Sequence, residues 1–245
     1  MTDRRVLRPI GGEWHFIAEE DALRRDVGAL TNWRLANSAR KMLGALLHEV
    51  TNEMPSVGDT PASELESAVV RQIAGAQLAG LGLRSGSAAM ILISTGYEPE
   101  AGALIRRLVE SVLRVRRVGE DVSGEHARRW LSGRAPGSAE KLAQRFGASE
   151  ELGILSALAH ADTRALRPVS IPPGWNTSHP DDGFFDVRPA RDPGRGDGLL
   201  YAVAFELASF SGSLAELFEV AVQLPRWLSS ELLAARDRLP GQDAA

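Results

Sequence analysis

The chain of 245 residues contains no cysteine. Without thiol groups it can form no disulfide, no thiolate zinc site and no iron–sulfur cluster, and it has no cysteine nucleophile. Lysine is also nearly missing, since Lys41 and Lys141 are the only lysines beside many arginines. Together with abundant alanine and glycine, this bias is typical of a GC-rich bacterial genome, so the arginine content alone indicates no function.

Sequence motifs of several common active sites are missing as well. None of the five histidines forms an HxH or HExxH pair, so a metal site would need ligands from distant helices. No GxSxG segment is present, which disfavours a nucleophile-elbow hydrolase. The segment "GLGLRSG", residues 80–86, follows a helical pattern and lacks the Lys-Ser/Thr end of a phosphate-binding loop. We therefore expect neither a metal nor another cofactor.

Charge and hydropathy give little sign of a nucleic-acid or membrane surface. The net charge is -4, so the molecule as a whole has no electrostatic footprint for nucleic acid. The basic N-terminal residues are followed by no apolar core, so they do not form a secretory signal. Residues 72–97 are long enough to cross a bilayer, but their polar side chains and five glycines favour a helix packed in a soluble bundle. We expect a cytoplasmic protein that does not enter a membrane.

Apolar residues recur at helical spacing through most of the chain. The capping-box pattern "SELE", residues 63–66, predicts the start of the second long helix, and Gly119 predicts the end of the third. Glycines at the end of the second helix indicate either a kink or close contact with a neighbouring helix. Ser123, Ser138 and Ser149 are candidate caps of shorter helices. The predicted long helices cover 26–54, 63–94, 99–118 and 199–224, with a last one reaching Leu239.

The helix predicted over 199–224 has the most regular pattern in the chain. Apolar residues follow one another at spacings of three and four, as in the seam of a helical bundle: Leu200, Val203, Leu207, Phe210, Leu214, Leu217, Ala221 and Leu224. Small residues form a second face that would allow a close approach: Ala208, Ser211, Gly212 and Ala215. This second face predicts a homodimer formed through this helix. The alternative is that both faces are buried within one chain.

Prolines and glycines interrupt the helical pattern at 163–197, which we interpret as a long irregular excursion. The predicted fold is therefore all-α: a helical bundle of about five main helices plus short helices and this excursion. Its domain organisation is an N-terminal arm at 1–25 and a single bundle domain at 26–239 with an irregular insertion at 163–197. Residues 240–245 form a loose tail.

The third helix carries the densest charge pattern, "ALIRRLVESVLRVRRV". Its apolar positions share one face, and the charged positions lie opposite: Arg106, Arg107, Glu110, Arg114 and Arg117. One interpretation is a solvated face with i,i+4 pairs from Glu110 to Arg106 and Arg114. The other is an anion-binding groove, because the arginine fork matches phosphate. Arg107, Arg114 and Arg117 are its candidate residues.

His160 is the histidine that we place in a candidate site. It lies in "ELGILSALAHADTRAL", 151–166, where Ser156 precedes it by four residues. Both residues lie opposite an apolar side formed by Leu152, Ile154, Leu155, Leu158 and Ala159. On the third helix, Arg106 and Glu110 have the same four-residue spacing. This match predicts a polar seam between the two helices, formed by Arg106 and Glu110 on one side and Ser156 and His160 on the other.

A helix with "IRRLVES" after a break at "TGYEPEA", followed by a helix with "LSALAHAD", resembles an uncharacterised bacterial all-helical family. That family is similar to the HEPN-like bundles of bacterial toxin–antitoxin and phage-defence systems. The resemblance covers about 88–165 and involves the four residues of the predicted seam. HEPN ribonucleases carry an arginine, four to six residues and a histidine. Here only Arg8 and His15 have this spacing, and Pro9 and a Gly-Gly pair separate them.

These observations predict a non-catalytic helical interaction or regulatory protein, homodimeric and linked to toxin–antitoxin or phage-defence systems. A second protein is the expected partner. The alternative is a divergent HEPN-like ribonuclease that would act on RNA through the Arg/Glu/His seam. A helical protein that binds a small molecule is a third interpretation.

Overall fold

A computed structural model describes residues 30–134, 137–159, 193–220 and 226–236. These residues are 80% helical and form eight helices with no strand, which confirms the predicted all-α bundle. The predicted arm at 1–25, the tail at 240–245, His160 and residues 163–192 lie outside the described residues. The helices are α1 (Trp33–Glu53), α2 (Ser67–Ser94), α3 (Glu98–Glu120), α4 (Glu125–Leu131), α5 (Ala139–Phe146), α6 (Ser149–Ala159), α7 (Pro193–Phe218) and α8 (Arg226–Arg236).

Helix α3 lies at the centre of the bundle. It packs against α2, α6 and α7, while α1 covers α2 and α7. The apolar face predicted for α3 is buried throughout, at Ala101, Ile105, Leu108, Val112 and Val115. Its ends carry acidic residues in the first turn and Arg117 in the last, which complement the helix dipole. The other helices of the bundle are therefore arranged around α3.

Helices α3 and α7 run in the same direction, and α2 runs against both. Gly196 near the start of α7 lies beside Glu98 at the start of α3, because a Cβ atom added at Gly196 would lie 3.3 Å from Glu98 Oε1. Helix α2 is joined to α3 by a short turn at 95–97, so the two helices are antiparallel. As a result, the C-terminal ends of α3 and α7 and the N-terminal end of α2 lie at the same end of the bundle.

Three glycines, Gly75, Gly82 and Gly86, let α2 approach α7 closely. A Cβ at Gly82 would lie 2.7 Å from Phe210 Cε2, and one at Gly86 would lie 3.1 Å from Leu207 Cδ2. The sequence left open whether these glycines cause a kink or a close contact. Helix α2 is continuous from Ser67 to Ser94, so the structure shows the close contact.

Several predicted helix boundaries are wrong. Helix α2 begins at Ser67, and the "SELE" segment lies in turns before it; Glu66 is the N-cap position and no side chain caps it by a hydrogen bond. The predicted capping box is therefore not formed. Ser138 does cap α5, because its side chain accepts a hydrogen bond from Lys141 N–H.

Helix α7 begins and ends earlier than the sequence predicts. It starts at Pro193, so residues 193–197 of the predicted irregular excursion are helical. It ends at Phe218 because Glu219 adopts a positive φ of 55°. The N–H of Val220 then bonds the carbonyl of Ala215 at 3.0 Å, which closes the helix end as in a Schellman motif.

The small-residue face of α7 lies mostly inside the chain. Ala208, Ser211 and Ala215 are buried, and Gly212 is half-buried. The structure therefore shows the alternative in which both faces of this helix are covered within one chain. The homodimer stays a prediction, but the small-residue face no longer supports it.

Two helices, Ser67–Ser94 and the Gly196–Phe218 part of α7, are long and apolar enough to cross a membrane by length and composition. Core helices of soluble proteins have the same properties. Within the bundle, 44% of the apolar window of the first helix and 61% of that of the second are buried, so this is weak evidence for a membrane span.

The close packing of α2 can be tested with a pair of glycine substitutions. We expect Gly82→Ala to lower the free energy of unfolding by about 1–3 kcal/mol, because the added methyl group meets the buried Phe210 ring. Gly153→Ala in α6 is the matched control, because its Cβ direction is open. It should stabilise the protein by about 0.5–1 kcal/mol. Urea unfolding measures both; equal effects of the two substitutions would contradict the close contact.

Candidate functional site

The charged face of α3 is held by ion pairs along the helix. Arg106 Nε donates to Glu110 Oε1 at 3.1 Å, and Arg114 Nη2 donates to Glu110 Oε2 at 3.2 Å. All three side chains are mostly buried, and Arg106 also lies 3.7 Å from a carboxylate oxygen of Glu140 in α5. The predicted i,i+4 pairs are confirmed. Both oxygens of Glu110 therefore already accept hydrogen bonds from arginines.

The three candidate anion-binding arginines lie in different surroundings. The Arg114 guanidinium stacks over the Trp130 ring at 5.9 Å, in addition to its bond with Glu110. Arg117 pairs with Glu120 at 3.4 Å, and Arg107 is exposed. Two of the three are thus engaged with carboxylates, and none of them lines the cleft described below.

The α6 half of the predicted seam is described only as far as Ala159. Ser156 Oγ donates to the carbonyl of Leu152, one turn back in its own helix, at 2.6 Å. Leu152 and Leu155 are buried as predicted, but Ile154 is 59% exposed. Its placement on the apolar side was wrong because it lies about 200° around the helix from Leu152. Since His160 lies outside the described residues, its contact with Glu110 stays a prediction.

Asp121, which precedes α4, organises a second polar cluster. Its Oδ1 accepts bonds from the Ser123 hydroxyl at 2.6 Å and the Ser123 N–H at 3.2 Å, and its Oδ2 accepts one from His126 N–H at 2.7 Å. Burial raises the pKa of Asp121, but these hydrogen bonds together outweigh it and lower the pKa. Burial lowers the pKa of His126, with a further lowering by Arg117. The cluster fixes the start of α4, so we assign it a structural role.

A cleft of about 600 Å³ opens where α3 and α7 end and α2 begins. The cleft is lined by side chains from these helices, by Phe146 at the end of α5, and by Glu219 just after α7. Its polar lining consists of Arg71, Arg116, Glu120, Ser209, Ser213, Glu216 and Glu219. Because the shared direction of α3 and α7 brings their last turns together, residues far apart in sequence line one concave surface.

Charges of both signs face the cleft without pairing with one another. Arg71 Nη1 donates to the carbonyl of Gly119 at 3.2 Å. In the part of the chain that the structure describes, neither Arg71 nor Arg116 lies within ion-pair distance of a carboxylate, and neither Glu216 nor Glu219 lies that close to a cation. The cleft therefore holds two arginines and two glutamates that form no ion pair with a described residue.

Glu120 differs from the other charged residues of the cleft. Its Oε2 lies 3.4 Å from Arg117 Nη1 and 2.8 Å from Arg145 Nη2. Two cations thus more than offset the negative charge of this carboxylate.

A buried carboxyl group interacts electrostatically with Arg116. Glu206 in α7 is only 5% exposed, and no hydrogen bond from a described residue reaches its carboxyl group. Burial raises its pKa to about 8, with a further increase from the Glu151 carboxylate and a decrease from Arg116. Burial also raises the pKa of Glu151, again opposed by Arg116. At neutral pH Glu206 is therefore mainly protonated, and Arg116, which lines the cleft, interacts electrostatically with both carboxyl groups.

Sequence reasoning missed all the residues of this constellation. Arg116 was not distinguished from its neighbours in an arginine-rich helix, and Glu151 was not singled out. A signal did exist for Glu206, since it is the only charged residue in the apolar stretch 199–215. An ionisable residue within an otherwise apolar helix is a candidate for burial and a shifted pKa.

No protein-family model, curated protein or solved structure matches this chain. The cleft and the buried carboxyl group of Glu206 therefore have to be interpreted from their own geometry and charge.

Burial of Glu206 predicts that stability depends on pH. The pKa is raised in the folded protein, so the stabilisation is complete below the ordinary value of 4.5 and is lost as pH rises toward about 8. We expect the free energy of unfolding to fall across this interval by up to about 1.4 kcal/mol per pH unit. Glu206→Gln should remove this component, so its advantage over the wild type should grow between pH 5 and pH 8.

Urea unfolding of the wild type and Glu206→Gln at both pH values measures this difference. The control is Glu231→Gln, because Glu231 is exposed on α8. A constant difference between Glu206→Gln and the wild type at the two pH values would show that Glu206 is not protonated in the folded protein.

Proposed function

We propose that the protein is a non-catalytic helical binding protein, of an interaction or regulatory kind, which binds a small polar ligand in the cleft at the ends of α3 and α7. The observation that supports this most is that Arg71, Arg116, Glu216 and Glu219 face one cleft without pairing with one another. Unpaired charges of both signs in a concave site are groups that a ligand can satisfy.

The size and construction of the cleft suit this function. Its volume of about 600 Å³ lies within the range of small-molecule sites. Most of its charged groups stand on the packed helices α2, α3 and α7, and helices hold side chains more accurately than loops do. The lining is mainly polar, so the expected ligand is charged or strongly polar.

The non-catalytic interpretation rests on the residues that line the cleft. Ser209 and Ser213 supply hydroxyl groups there, and among the lining residues that the structure describes there is no histidine to act as the usual base beside them. Glu206 interacts with Arg116 but is not among the described lining residues. A protein that only binds its ligand does not need an activated serine hydroxyl or a catalytic carboxyl group in the cleft.

The wider context remains part of the proposal. The resemblance to HEPN-like bundles favours a bacterial cytoplasmic protein that acts in a toxin–antitoxin or phage-defence system. A partner protein or a second copy of the chain would bind elsewhere on the surface. No observation favours the ribonuclease alternative, because Arg106 and Glu110 bind each other in the described part of the seam.

The cleft can be blocked with one substitution. Gly212 of α7 lines the cleft and has an open Cβ direction, so Gly212→Phe should place a ring in it. Gly153→Phe is the matched control, since Gly153 is also helical and open but lies outside the cleft. A thermal-shift panel of amino acids, short peptides, nucleotides, sugar phosphates and polyamines provides the test.

We expect at least one compound to raise the Tm of the wild type and of Gly153→Phe but not that of Gly212→Phe. The proposal fails if no compound raises the Tm, or if Gly212→Phe responds like the wild type. The same proteins should leave RNA intact. Cleavage by the wild type that is lost in His160→Ala would establish the ribonuclease alternative instead.

A further inference from the structure

The packing of α3 beside α7 fixes the level of each residue along the cleft. At the first turns Glu98 lies beside Gly196, and near the middle Leu108 and Phe210 lie next to the same glycine of α2, Gly82. A residue of α7 therefore lies level with the residue of α3 whose number is lower by about 100. This offset is kept along both helices, because each rises about 1.5 Å per residue.

All the charged residues of the cleft lie at one end of it. Arg116 of α3 lies level with Glu216 of α7, near the ends of both helices. Glu120 ends α3, and Glu219 follows the end of α7. Arg71 lies at the same end, because its Nη1 donates to a carbonyl in the last turn of α3. Charges of both signs are therefore close together there.

The other end of the cleft is uncharged and is lined by small residues of α7. Ser209, Gly212 and Ser213 lie one to two turns before Glu216. Neither serine hydroxyl forms a hydrogen bond with a described residue. Other serines inside helices donate to a carbonyl of their own helix, as do Ser87, Ser111, Ser156 and Ser211. Two hydroxyl groups are thus available to a ligand, and the open Cβ direction of Gly212 leaves room beside them.

Arg116 and Glu216 lie on opposite walls of the cleft at one level. They form no ion pair with each other, so a group of a ligand can lie between them. A guanidinium pairs with a carboxylate through two hydrogen bonds, and a carboxylate pairs with an ammonium group. The C-terminal ends of α3 and α7 also favour a cation nearby. A matching ligand carries both charges close together, as an α-amino acid does on a single carbon.

The uncharged end of the cleft limits the side chain of such an amino acid. At a rise of about 1.5 Å per residue, Ser213 lies about 4.5 Å and Ser209 about 10 Å before Glu216 along α7. A side chain with four bonds beyond the Cα atom extends about 5 Å, so its end reaches the serine hydroxyls. A carboxamide can donate to hydroxyl groups and accept from them, and it adds no charge to this end. Glutamine has a side chain of this kind and length.

We propose that the ligand of the cleft is a free α-amino acid with a carboxamide side chain of glutamine length, with its carboxylate at Arg116 and its ammonium group at Glu216. The carboxamide bonds the two serine hydroxyls. This inference rests on the proposed function and names the class of ligand for the same site. Val115, Phe146 and Leu217 supply apolar wall for the methylene groups of the side chain.

Glutamine and its two blocked forms test the recognition of the head group. N-acetyl-L-glutamine lacks the ammonium charge, and L-glutamine amide lacks the α-carboxylate. We expect L-glutamine to bind the wild type at least tenfold more tightly than either blocked form at pH 7, as measured by isothermal titration calorimetry. Binding of either blocked form as tight as that of glutamine would overturn the proposal.

Two analogues of the same length test the side chain. L-norleucine lacks hydrogen-bonding groups, and L-glutamate adds a charge where the described lining has none. Both should bind at least tenfold more weakly than L-glutamine. Ser213→Ala should reduce the preference for glutamine over norleucine, whereas Ser230→Ala, on the exposed surface of α8, should preserve it. Equal binding of norleucine and glutamine by the wild type would contradict the carboxamide class.

Two substitutions assign the head group to its residues. In Arg116→Gln, glutamine and glutamine amide should bind with the same affinity, because the partner of the carboxylate is gone. In Glu216→Gln, glutamine and N-acetyl-glutamine should bind alike. Arg34→Gln and Glu49→Gln are controls on the exposed surface of α1, and both should keep the wild-type preferences. The same loss in Glu219→Gln but not in Glu216→Gln would contradict the proposed position of the ammonium group.

The blocked variant Gly212→Phe separates this inference from the proposed function. If glutamine does not bind but another compound of the thermal-shift panel does, and Gly212→Phe abolishes that binding, the proposed ligand class is wrong and the binding function stands. If no compound binds in a way that Gly212→Phe abolishes, both proposals fail.

Discussion

The close approach of α2 to α7 is the contact on which the rest of the bundle depends. At Gly82 and Gly86 the two backbones come near enough for Phe210 and Leu207 to pack directly against α2, beside Leu108 of α3. Three helices thereby share one core. The shared direction of α3 and α7 follows from this packing. It brings the C-terminal ends of α3 and α7 and the N-terminal end of α2 to the same end of the bundle. The cleft is a consequence of how the helices end around this core.

The same core contains Glu206, a carboxyl group whose burial is energetically unfavourable. A carboxyl group without a described hydrogen bond or ion pair is tolerated there because it can remain protonated. An apolar residue at this position would fit the pattern of α7 better, so the glutamate reduces stability. Costly buried groups of this kind tend to lie beside functional sites, and this one interacts with Arg116, which lines the cleft.

The sequence predicted the fold class because the signal for it is local. Repeated apolar spacing specified the buried faces of α3 and α7 correctly, and the Glu110 ion pairs followed from spacing along a single helix. Boundaries were less predictable, since the end of α7 depends on the positive φ of Glu219 and the start of α2 on turns at 63–66. The cleft was not predictable, because it depends on which helix ends meet. That arrangement comes from contacts between residues more than 100 positions apart, such as Gly82 and Phe210.

Arg116 lines the cleft and interacts with two carboxyl groups, and this interaction links occupancy of the cleft to the exchange of protons with solvent. Arg116 lowers the pKa of both Glu206 and Glu151. A ligand that places an anion against this guanidinium would weaken that effect, so the pKa of both carboxyl groups would rise and the protein would take up protons as it binds. By reciprocity, protonation of the pair would strengthen the binding of such a ligand. The heat of binding near pH 8 would then depend on the ionisation enthalpy of the buffer.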